Sequence, residues 1–168
     1  MAEVNWYEEA LKVVSRKSAI HLNSSGSFRS SLECVEMVIR WEGFEEKAYK
    51  DIGGVITIGF GETKGVKEGD TITHEAAKEK LEKRLDGFWD DIKDSIRVPI
   101  TQAMCDALTS FTYNVGVGAF KGSTLLRRLN SGDYEGASKE LLRWNKVDGK
   151  VVRGLSNRRE DERQLFVS

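Results

Sequence analysis

The chain has 168 residues, 39% of them hydrophobic and 32% charged, with a single proline and a formal net charge of −1. That length suits one domain that buries a core without metal or disulfide staples, and the composition favours a helix-rich soluble protein over a disordered, fibrous or membrane-spanning one. Charge is uneven, with 15 Lys and Arg against 20 Asp and Glu in residues 1–120 and 11 against 7 in residues 121–168, yet no dense basic run interleaved with aromatics marks a nucleic-acid surface.

Tyr7, Leu11 and Val14 recur at helical spacing and predict an amphipathic helix over 4–16, followed by the linker "HLNSSGSFRSS" at 21–31. This start carries charges where a secretory leader needs an unbroken apolar run, and no segment reaches the length of a membrane span. Residues 1–31 therefore read as an accessory segment, either packed on the remainder or reserved for a partner or inhibitor, and residues 32–168 as the main domain. A second helix is expected with Ser30 as N-cap and Glu33 closing a capping box; it turns Cys34, Val35, Val38 and Trp41 inward and stops at Gly43. Glu42 falls in its last turn. Cys34 and Cys105 are far apart, form no CxxC pair and have only His21 and His74 for company, so neither a zinc site nor a thiol–histidine nucleophile is signalled. Two buried thiols are expected; a disulfide stays open if the protein works outside the cytoplasm.

From 44 to about 72 the pattern changes to short runs, "KAYKD" and "VITIGFG", joined by "IGG", which predict an antiparallel hairpin lobe with Asp51 at the turn and Thr57 on the returning strand. Thr73 then caps a long charged helix, with a kink expected near Gly87, that leads to a helical lobe at about 95–168. After Pro99 every segment reads as capped helix, starting at Thr101, Ser123, Asp133 and Ser156. No repeat or low-complexity tract interrupts it. The fold class expected is α+β, mostly α, with two lobes and a long connecting helix.

Hydrolysis of a glycosidic bond needs an acid for the leaving oxygen and a second carboxylate to activate water or attack the sugar. Glu42, at the negative end of a helix dipole and partly covered by Trp41 and Phe44, suits the acid, since both surroundings favour the protonated form. Asp51, on a glycine turn with exposed amides, stays ionised more easily, and the Thr57 hydroxyl can share in holding a water. A helix-terminal Glu and a turn Asp are equally at home as solvated surface groups, so the spacing of the whole stretch decides.

"WEGFEEKAYKDIGGVITIGFG" resembles the phage-type lysozymes of glycoside hydrolase family 24, which carry Glu-Gly at a helix end, an Asp nine residues on and a Thr six further on in "TIGxG". "FTYNVGVGAFKGSTLLRRLNSGDY", Trp144 and "GLSNRREDERQLF" resemble that family's C-terminal lobe in the same order, so the likeness runs from 32 to 166. It implies a lysozyme-like fold in which Glu42 is the general acid and Asp51 with Thr57 positions the attacking water, in an inverting cleavage of the β-1,4 bond between N-acetylmuramic acid and N-acetylglucosamine. It further implies no cofactor or metal, a monomer acting on peptidoglycan strands without stable membrane insertion, and residence in the host cytoplasm until another phage protein permeabilises the membrane.

Tyr113 and Asn114 match positions lining the family's cleft, and Arg158 matches an arginine beside the catalytic Glu. Core packing for Tyr113 and a helix-surface charge for Arg158 are the competing readings. A guanidinium beside Glu42 would favour the ionised acid, against the dipole and burial. Where many members have a histidine after "TIGxG", this chain has Glu62, either a solvated hairpin end or a third carboxylate at the cleft. Two other functions are weighed beside the hydrolase. A lytic transglycosylase can dispense with the second carboxylate, which the presence of Asp51 and Thr57 opposes. A non-enzymatic wall-binding or membrane-disturbing protein would use the helix carrying Arg158, Arg159 and Arg163, but Glu160, Asp161 and Glu162 make that a mixed-charge face.

Overall fold

The structure is a computed structural model that describes residues 28–168; the helix expected over 4–16 and most of the linker lie outside the described residues. Helix α1 (Leu32–Glu42) leads into strands β1 (Glu45–Lys50) and β2 (Ile56–Gly59), then the long helix α2 (His74–Ile92) and a 3-10 turn at Lys93–Ser95. The remaining chain forms α3 (Gln102–Val115), α4 (Val117–Lys121), α5 (Thr124–Asn130), α6 (Tyr134–Leu141), a small hairpin of β3 (Lys146–Val147) and β4 (Lys150–Val151), and α7 (Arg153–Val167).

Two apolar clusters divide the molecule into lobes. The smaller joins Cys34, Val35 and Val38 of α1 to Phe60 after β2 and to Ala77, Leu81 and Leu85 of α2. The larger gathers Phe111, Phe120, Leu125, Leu129, Leu141 and Phe166 from the C-terminal helices, and Trp89 and Ile92 of α2 belong to it. Helix α2 therefore serves both cores, its first three turns one lobe and its last the other, because its apolar residues recur every four positions along one face. Helix α3 is the central element: residues Met104 to Thr112 are all buried, and its most extensive packing is against α7.

Most expected caps are observed. The hydroxyls of Thr73, Thr101 and Ser123 accept from the backbone N–H of Ala76, Met104 and Leu126, and the Asp133 carboxylate from that of Gly136. At α1 the cap is Ser31 in place of Ser30, with its Oγ accepting from Glu33 and Cys34. Tertiary anchors make that choice: Asp86 takes the Ser30 N–H at 3.0 Å, while Asp106 takes the Ser31 N–H at 3.0 Å and hydroxyl at 2.5 Å. Helix α2 runs as one segment through the position of the expected kink.

Two departures follow the last long loop. "VDGK" forms a tight hairpin, with Asp148 at φ 49° and Gly149 at φ 76°, as two-residue Asp-Gly turns between strands do. The stretch after Pro99 is thus not wholly helical. Helix α7 begins at Arg153, three residues ahead of the expected Ser156, because β4 feeds directly into it and the Val152 N–H is taken by the Asn145 carbonyl at 2.8 Å. Both thiols are free and fully buried.

Candidate active site

Glu42 is presented by the last turn of α1. The helix ends at Gly43 with φ 73° and ψ 167°, a conformation essentially confined to glycine, so the chain turns sharply and leaves Glu42 at the rim. Its side chain is 24% exposed, while the Arg158 guanidinium that it meets at 2.7 Å is 5% exposed. A buried cation thus holds a carboxylate whose other side faces solvent.

The second half of the constellation belongs to the β1–β2 hairpin. Tyr49 pairs with Thr57 and Lys50 with Ile56, with a register shift nearer Glu45, and the turn is closed by Asp51. Its N–H donates to Val55 O at 2.9 Å, its carbonyl accepts from Gly54 at 2.9 Å, and Oδ1 accepts from Val55 N at 2.8 Å. Thr57, 5% exposed, donates through Oγ1 to the same Val55 at 3.1 Å. Asp51 and Thr57 are therefore fixed to one residue, and Asp51 remains exposed.

Gly61 supplies the close approach between the lobes. A tight turn after β2, closed by paired bonds of 2.9 Å between Ile58 and Glu62, brings Gly61 to where an added Cβ would lie 3.7 Å from the Tyr113 hydroxyl and 4.0 Å from Glu42 Oε2. The Tyr113 hydroxyl donates to Phe60 O at 2.8 Å. Burial pushes that phenol up to about 12, so it is a neutral donor, and its ring meets Phe88 edge-on and the Arg84 guanidinium at 4.9 Å. Tyr113 both packs and borders the Glu42 site. Asn114 is exposed, with its Oδ1 accepting from Arg159 at 2.7 Å.

Glu62 is not a merely solvated end. Its Oε1 accepts the N–H groups of Thr63 and Lys64 at 3.0 and 2.9 Å, and its Oε2 lies 3.8 Å from Arg84 Nε. It caps its own loop and anchors the arginine that stacks on Tyr113.

The larger omission of the sequence reading lies on α7. The run read as a mixed-charge face has Arg158, Arg159 and Glu162 buried, with Glu162 between the two arginines. The signal was present: Arg158, Glu162, Leu165 and Phe166 share one helical face, and the last two are plainly core residues. Among the described residues, no group of three His, Cys, Asp or Glu is placed to hold a metal ion, and no helix is long and apolar enough to cross a membrane.

A helix-end glutamate beside the turn that leaves a small hairpin, with one long helix shared by two apolar cores, is the arrangement of a lysozyme-like fold. The phage lysozyme family model matches residues 39–162, and the chain belongs to that family. It is 42% identical over 137 residues to an endolysin of Bacillus phage B103, which covers 80% of this chain and 52% of that protein, so the chain spans about half the length of that relative. An endolysin of Salmonella phage P22 is 43% identical over 134 residues, 77% of this chain and 91% of its own. Among solved structures, the muramidase domain of SpmX from Asticaccaulis excentricus overlays with a TM-score of 0.80 at 32% identity, covering 84% of this chain and 99% of that one.

Proposed function

We propose that the protein is a phage endolysin, a muramidase that hydrolyses the β-1,4 bond between N-acetylmuramic acid and N-acetylglucosamine in peptidoglycan. The observation that carries this reading is Glu42 itself, held at 2.7 Å by a buried arginine while open to solvent on its other side.

In this reading Glu42 protonates the departing glycosidic oxygen. Asp51, exposed and tied to the hairpin turn by Val55, serves with Thr57 as the base side that orients the attacking water, giving inversion at the sugar carbon. Tyr113 and Asn114 line the cleft for the glycan strand, and Arg158 keeps the acid in place. Two carboxylates and water complete the chemistry, which calls for no cofactor. The protein acts as a monomer, accumulates in the host cytoplasm and reaches the wall once a separate phage protein permeabilises the membrane.

The test is Glu42→Gln beside the parent on purified peptidoglycan, with analysis of the sugar ends released. The parent should release reducing ends that have gained water, and Glu42→Gln should release almost none while keeping its fold by circular dichroism. Parent-like clearing by Glu42→Gln would overturn the assignment, and anhydro-muramyl ends would replace hydrolysis with transglycosylation.

A further inference from the structure

An acid that must carry a proton sits, in this structure, against a guanidinium, and a neighbouring cation favours the ionised carboxylate. Something must balance that cation from behind. Glu162, fully buried, is placed to do so: its Oε1 accepts from Arg158 Nε at 3.2 Å, from Ser110 Oγ at 2.8 Å and from Arg159 Nη2 at 3.4 Å. Its Oε2 lies 3.1 Å from Arg159 Nε. Arg158 therefore has one edge turned to Glu162 and one nitrogen, Nη1, turned to Glu42.

We infer that Glu162 is a positioning residue for the reaction, setting through Arg158 both the place and the proton affinity of Glu42, with Arg159 as its counterweight. The inference rests on the reading of Glu42 as the acid. Two cations and two carboxylates make the cluster neutral when both glutamates are ionised, so protonating Glu42 leaves it with a single positive charge. Removing the Glu162 charge adds another positive charge beside the acid; removing Arg159 subtracts one.

The other groups around the acid do not supply this balance. Tyr113, on α3, is a neutral phenol, and Arg84, over its ring, lies 3.8 Å from Glu62, so the charges of that pair oppose each other. Around Glu162 itself stand Arg158 and Arg159 on α7, Ser110 on α3 and the Cys34 thiol on α1, which burial keeps neutral. Burial, the largest influence, holds the Glu162 carboxyl above its ordinary value, although the two arginines and Ser110 pull it down. Burial lowers Arg159 only to about 10, so it is charged at neutral pH.

The experiment measures kcat and KM against pH on soluble glycan chains for the parent, Glu162→Gln and Arg159→Leu, with Glu42→Gln as the control for the acid. Glu162→Gln should move the alkaline limb of the kcat profile to lower pH by about one unit, an approximately tenfold loss of kcat above that limb with KM little changed. Arg159→Leu should move it the opposite way. Loss of a merely structural contact lowers activity in both variants without displacing the limbs in opposite directions. Limbs within about 0.3 unit of the parent, or moved in the same direction, overturn the inference. Should Glu162→Gln fail to fold, the Arg159→Leu limb decides alone, supporting the inference if it rises and refuting it otherwise. Parent-like hydrolysis by Glu42→Gln would instead refute the reading of the acid; an inactive Glu42→Gln with unmoved limbs refutes only the role of Glu162.

Discussion

Gly43→Ala isolates the backbone geometry that presents Glu42. At φ 73° and ψ 167° the position falls in a region essentially confined to glycine, where an L side chain costs about 1–3 kcal/mol. An added Cβ would meet no atom within 4 Å, so no steric clash contributes and the cost is conformational alone. The Gly43 N–H also closes α1 on the Ile39 carbonyl at 3.2 Å, and relaxing the strain would disturb that bond. A loss of about 2 kcal/mol in a protein of this size lowers the melting temperature by roughly 4–8 °C. Gly87→Ala is the matched control: Gly87 is an exposed interior position of α2, again with nothing within 4 Å of the added Cβ. There alanine should stabilise by about 0.5–1 kcal/mol through helix propensity. Thermal unfolding by circular dichroism should thus move in opposite directions for the same chemical change. A Gly43→Ala protein that melts at or above the parent would refute the reasoning, as would two shifts of the same sign.

Two further expectations concern buried titratable groups. Burial pushes the Asp106 carboxyl above its ordinary value of 3.8, with the bonds from Ser31 and Gln102 resisting. A group raised in the native state contributes stability that is complete below its unfolded value and lost as pH rises through its native one. The unfolding free energy of the parent relative to Asp106→Asn, measured with denaturant from about pH 3.5 to about pH 6, should therefore fall with rising pH; a constant or rising difference would contradict it. Burial likewise raises the Cys34 and Cys105 thiols, so a thiol reagent at mildly alkaline pH should label the protein only at its rate of unfolding, whereas fast native labelling would show the thiols accessible.

Much of this protein was legible in the sequence because the relevant energetics are local. Thr73, Thr101, Ser123 and Asp133 cap their helices since a short polar side chain satisfies free N–H groups within three residues. The spacing of Glu42, Asp51 and Thr57 is likewise local: a helix that must stop at Gly43, a hairpin turn and a return strand lie within one continuous stretch. The Asp-Gly turn at Asp148 carried a legible local signal too, overlooked because its strands have two residues each.

What the sequence could not decide depends on which faces dock. Ser31 takes the cap from Ser30 because Asp106, 75 residues away, binds it. Arg158 reaches Glu42 across 116 residues, a contact that the family resemblance implied but no local signal showed, and the charges of α7 become a buried frame only because that face lies against α3. A run of alternating charges reads as solvated surface when taken alone. Packing removes Arg158, Arg159 and Glu162 from water together, and mutual ion pairing is the arrangement that makes their burial tolerable. The sequence by itself determined the two-lobed class and the spacing of Glu42, Asp51 and Thr57 within one stretch; the tertiary structure alone decided that Arg158, Arg159 and Glu162 are buried together beside Glu42, because that depends on long-range burial of charge.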